Sequence, residues 1–231
     1  ADRKDTVMHT LYLLFSEGYN STHPDKLIRH DLCEEAMRLC LLLTKNNLTD
    51  SPAVNALLAL MCLQASRADA RLDEHGNIVL LQDQNRERWN KALIEKANEF
   101  LDKSGEGDEF SEYHLEAAIA ATHAHAKTFE QTNWLRIVEL YQILLALKPD
   151  PVVELNLAIA LGKAQSVEVG LQRLRNIKGL EQNSIYHAAL GDFHAQLQQP
   201  EKAITFYQKA LSLTQLKAEK VLLQTKMVGL Q

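Results

Sequence analysis

The chain has 231 residues, 46% hydrophobic and 24% charged, with 25 Lys+Arg against 30 Asp+Glu and a formal net charge of −5. That balance belongs to a folded chain with ample core and excludes disordered and fibrous classes. The acidic surplus, with a pI near 6.0, gives no general attraction to phosphate backbones, so wrapping of nucleic acid is not expected. No apolar run reaches the ~18 residues of a membrane helix, and no signal peptide opens the sequence. The three cysteines, Cys33, Cys40 and Cys62, form no CxxC pair, as suits a reducing cytoplasm.

Only 9 Gly and 5 Pro punctuate the sequence, and apolar residues recur at three and four positions, so the fold expected is all-α. Helices are predicted at 5–17, 25–46, 51–70, 84–103, 110–127, 133–148, 151–164, 167–177, 184–198, 201–213 and 216–229. Leu32, Ala36, Leu39 and Leu43 share one face of the second. Asp50-Ser51-Pro52 reads as a cap followed by Pro in a first turn, Pro151 and Pro200 repeat the pattern, and Thr132 is a candidate cap before Trp134. One segment departs from helical spacing. Residues 71–81 carry the turn pair Gly76-Asn77 and then a β-branched, apolar run, which reads as a small β-hairpin or an ordered loop. The polar turn at 103–108 is taken as the boundary between an N-terminal helical part, 1–108, and a second part, 109–231, packed into one compact unit.

The second part contains a repeat. Residues 184–213 resemble a tetratricopeptide repeat (TPR), with Leu190-Gly191 in the first helix and Ala203, Tyr207 and Ala210 in the second. Small residues let two antiparallel helices approach while Tyr207 and Leu211 fill the seam. Leu157-Ala158, Gly170, Leu174 and Ile177 occupy the same places one repeat earlier, and Gly170 and Ala203 lie 33 residues apart, near the ~34 of this repeat. A third, degenerate unit falls on Ile137, Tyr141 and Leu144, with 110–127 as its first helix. By TPR geometry Val152, Leu155 and Ile159 line the concave groove. The expected occupant of this apolar groove is the chain's own N-terminal helices, the alternative being a partner helix.

Catalytic signatures are missing: there is no GxSxG, HExxH or GxxxxGK[ST], and Gly105 and Gly107 lack the strand and helix of a dinucleotide loop. His123 and His125, two apart on a helix, point away from each other. His187 and His194 share a face but lie roughly 10 Å apart along it, so packed histidines are the expectation rather than zinc ligands. Cys33 and Cys40 read as small buried thiols. Neither an enzyme nor a cofactor is expected. What stands out is the charge around the 71–81 segment: Arg67, Asp69, Arg71, Asp73, then Asp83, Arg86 and Arg88. Asp83 is placed to cap the helix carrying Arg86 and Trp89, and hydrogen-bonded ion pairs could lock the segment onto the bundle. The alternative is a solvated charge cluster.

Four motifs then occur in order: Leu11-Tyr-Leu-Leu-Phe-Ser-Glu-Gly-Tyr19; Ala70-Arg71-Leu72-Asp73, Gly76, Val79 through Arg86, and Trp89; Ala117-Ala-Ile-Ala-Ala-Thr-His-Ala124; and Pro151-Val-Val-Glu-Leu-Asn156. Together, from about residue 7 to 213, they resemble the long C-terminal extension of a group of bacterial extracytoplasmic-function (ECF) sigma factors with TPR-like repeats. Asn85 and Asn90 depart from it, standing where acidic residues are expected. In that family the preceding regions 2 and 4 bind core RNA polymerase and read the promoter. Neither region is visible here, since no basic helix-turn-helix is present. The resemblance implies a cytoplasmic, non-enzymatic regulatory domain whose partners are sigma regions 2 and 4 and core RNA polymerase. DNA would be contacted only by those other regions, and no membrane is involved. The interaction or structural residues it suggests are Arg71, Asp73, Gly76, Asp83, Arg86, Trp89, Val152, Leu155, Asn156 and Ile159.

Overall fold

The computed structural model describes residues 2–230, and among these the fold is all-α. Eleven α-helices run in order: α1 Asp2–Tyr19, α2 His30–Thr44, α3 Pro52–Ala65, α4 Lys91–Ser104, α5 Glu112–His125, α6 Trp134–Leu147, α7 Pro151–Ala164, α8 Val167–Arg175, α9 Ser184–Gln196, α10 Pro200–Leu213 and α11 Lys217–Val228. Packing divides them into two compact units. One runs to His75 and resumes over Val79–Thr132; the other is Gly76–Ile78 with the chain from Asn133 onward.

The first unit is built around α3. Residues 53–63 are all buried, because Ala53-Val-Asn-Ala-Leu-Leu-Ala-Leu-Met-Cys-Leu63 is apolar on every side and suits only a surrounded helix. It packs against α1, α2, α4 and α5. Phe15 and Cys40 are fully buried beside it. The crossing of α1 and α2 is close: a Cβ on Gly18 would lie 2.7 Å from the Cys33 amide nitrogen and 2.8 Å from its Sγ. Burial pushes the thiols up, to about 11 for Cys33, about 12 for Cys40 and about 11 for Cys62, so they are the packed thiols expected.

The helix α5 belongs to this first unit, where it packs on α3 and α4. The division after Thr132 therefore differs from the expected one after residue 108. Ala117 and Ala121 are buried in the α3 core, and that small-residue face is indistinguishable in sequence from the face of a repeat helix. The expected third repeat accordingly has α6, with Ile137 and Leu144 buried, and its first helix lies in the other unit.

In the second unit each helix packs on its sequence neighbours, α6 on α7, α7 on α8 and so on to α11, the one-dimensional pattern of a helical repeat. The TPR positions sit as expected. A Cβ on Gly191 would fall 2.4 Å from the Tyr207 ring, and one on Gly170 would meet Ala158 O at 2.7 Å. Ala203 and Ala210 are fully buried. Tyr207 donates to Asp192 Oδ1 at 2.6 Å, and Lys226 on α11 donates to the same oxygen.

Among the described residues no helix is long and apolar enough to cross a membrane.

Candidate functional site: an arginine-capped helix junction

Residues 71–81 form the ordered loop that was one of the two expectations for them, within a longer loop, residues 66–90, between α3 and α4. Its only β features are single-residue bridges at Leu72 and Ile78, and three short 3₁₀ turns cover Ala68–Ala70, Leu81–Asp83 and Arg86–Arg88. The predicted helices 51–70 and 84–103 shorten to α3 and α4 for that reason. The ends of the loop are clasped, with Asn90 N donating to Ser66 O at 2.7 Å and Val79 N to Arg71 O at 2.9 Å. Gln84, buried, donates from Nε2 to Val79 O at 3.0 Å.

Two arginines from this loop reach the C-terminal ends of two helices. Arg71 donates to Tyr19 O, on the last residue of α1, and at 2.5 Å to Asn20 Oδ1; its guanidinium lies 3.9 Å from the Tyr19 ring centroid. Arg86 donates from one nitrogen to His123 O at 2.5 Å and to Ala126 O at 2.9 Å, closing the end of α5. The last carbonyls of a helix have no partner within it and carry the negative end of its dipole, so a guanidinium is a fitting cap. Arg88 likewise donates to Asp69 O at 2.7 Å. The expectation of ion pairs is thus corrected: these arginines meet backbone carbonyls, not carboxylates.

Trp89, 4% exposed, is the platform of the junction. Arg86 stacks 4.7 Å and Arg67 5.7 Å from its ring centroid, placing two cations on one indole. Arg67 Nε, Arg86 Nη2 and Trp89 Nε1 are buried donors without an acceptor. Beside them His123 is pushed down to about 4, first by burial and then by the charges of Arg67 and Arg86. It is a neutral imidazole held against two cations.

Asp73 accepts from His75 N at 2.8 Å in a local turn, and Gly76 has φ +80 in open space, the left-handed turn position glycine favours. Asp83 is exposed and caps nothing. The caps are the two departures from the resemblance: Asn85 accepts from Glu87 N, and Asn90 from Leu93 N at the start of α4. Asparagine caps a helix as well as aspartate does, so the substitution costs the fold nothing. Similarly Asn133, not Thr132, caps α6. On α7 Leu155 is 1% exposed and packs in the core with Ala158, Leu171 and Leu174, so it faces α8 within its own unit and not a concave groove filled by the N-terminal helices. Val152 is 47% exposed, while Asn156 and Ile159 are half-buried. Because α7 is apolar on nearly every side, its sequence could not say which face is covered. The carbonyls of His123 and Ala126 were beyond sequence reasoning, since carbonyl caps leave no residue signature; Asn85 and Asn90 did carry one, an Asn before each turn.

Residues 3–105 match DUF6596, a family of unknown function. The match takes in α1 to α4 and the whole arginine loop. Over 214 residues, 92% of this chain, the sequence is 38% identical to an uncharacterized protein of Rhizobium meliloti (strain 1021). The chain spans 50% of that curated relative's length.

Proposed function

We propose that this chain is the regulatory, protein-interaction domain of an ECF sigma factor. It acts in the cytoplasm, without catalysis, and modulates promoter-specific initiation by contacts with sigma regions 2 and 4 or core RNA polymerase. The observation that carries this reading is the relative that matches along 92% of the chain yet is twice as long: as much polypeptide again lies outside the shared segment, room for a sigma region 2 and a region 4. The four ordered motifs support it. Three of them supply the arginine-loop contacts: Tyr19 of the first receives Arg71 of the second, and His123 of the third receives Arg86 of the second. A domain fused to its target acts at high effective concentration and can bias it between inactive and active states. The reading frame upstream of the codon for Ala1 tests it. About 170 residues with a basic helix-turn-helix are expected there; a start codon directly before Ala1 would contradict the reading and leave a stand-alone TPR adaptor.

A further inference from the structure

The second unit holds a cavity of about 420 Å³ between α8 and the start of α10, lined by Leu171 and Leu197, by Arg175, Gln199 and Lys202, and by Glu168. Behind it lies His194, 1% exposed and stacked on Phe206 with ring centroids 5.3 Å apart. Both imidazole nitrogens are committed. Arg175 Nη2 is 3.1 Å from Nε2, and Gln199 Oε1 is 2.8 Å from Nδ1. A guanidinium only donates, so Nε2 accepts, the proton sits on Nδ1, and Nδ1 donates to Gln199 Oε1. That oxygen also accepts from Lys202 Nζ at 3.2 Å. A neutral histidine and a glutamine thereby link the two cations of one cavity in a single chain of hydrogen bonds.

Among the described residues neither Arg175 nor Lys202 has a carboxylate within ion-pair distance. The acid of the lining, Glu168, is engaged with the backbone amide of its own helix start and with Ser166. Two unneutralised cations fixed on a concave, partly apolar wall are the arrangement that takes an anion: the guanidinium supplies a fork of donors and the ammonium a point charge. We infer that this cavity binds the carboxylate or phosphate group of a small organic acid, held by Arg175 and Lys202 over Leu171 and Leu197. The inference goes beyond the proposed transcriptional role and stands independently of it; the domain would sense a metabolite through the repeat unit.

The test is a titration of the 231-residue chain followed by imidazole ¹⁵N NMR, with inorganic phosphate and succinate as separate probes and sodium chloride holding ionic strength constant. At least one probe is expected to shift the His194 resonances saturably, which also tells phosphate from carboxylate recognition. Lys202→Gln, at an exposed position, leaves the fold intact and is expected to weaken that binding about tenfold. Linear, non-saturating shifts with both probes, or saturation unchanged by Lys202→Gln, would overturn the assignment.

Discussion

Arg86 shows what a single side chain does at the junction. Its head group satisfies two carbonyls at the end of α5 and covers Trp89, so Arg86→Met leaves those carbonyls in a half-buried site without a donor. We expect a loss of about 2 kcal/mol, read from the urea midpoint of the whole chain. The neighbouring His123 makes the junction pH-sensitive. Its folded value near 4 lies below the ordinary 6.5, so between these pH values the unfolded chain takes up a proton that the folded chain refuses. Stability is therefore fully present above about pH 6.5 and declines as the pH falls toward 4, by about 1–3 kcal/mol. Burial holds His194 down as well, so the comparison that isolates His123 is His123→Gln, which should flatten the slope by its own share. An unchanged slope would show that His123 does not titrate against the arginines. Arg71, Arg86 and Trp89 stand out in the sequence as an unusual cluster, but their partners are backbone oxygens far along the chain, and no residue type announces a carbonyl. Opposite charges nearby suggested ion pairs; the fold instead brings the helix ends.

Helix placement came through wherever the period was clear, as in α8, α10 and the Gly191–Tyr207 contact of the last repeat. It failed where apolar residues surround a helix or where a loop imitates one. Residues 84–90 have helical composition, yet Gln84, Asn85 and Asn90 each break the ladder by bonding locally or capping. For α7, uniform apolarity hid the buried face, and for α5 a small-residue stripe pointed equally to two neighbours. Two substitutions test the repeat packing. Gly191→Ala places a methyl 2.4 Å from the Tyr207 ring, which neither helix can yield without parting; a loss of about 1–3 kcal/mol is expected. Leu155→Glu puts a carboxylate in the core of the second unit and should cost more than about 3 kcal/mol, seen as lost helical signal at a lower temperature. A folded, unperturbed Leu155→Glu protein would return Leu155 to the surface.

Across the molecule, the match to DUF6596 covers most of the first unit, residues 3–105, while likeness to the longer relative extends over 92% of the chain. The arginine junction belongs to the first unit and the anion cavity to the second, so the two are separable by mutation. Composition already set the class, since few Gly and Pro with apolar residues at helical spacing give an all-α chain. The proposed function rests on the ordered motifs, because nothing in helix periodicity names a partner. The central claim, that the domain regulates a sigma factor, is tested most directly by promoter-specific transcription with purified core polymerase. The full-length protein is compared with a version lacking residues 7–231. A changed rate or promoter occupancy is predicted; identical transcription from both proteins would contradict a regulatory role.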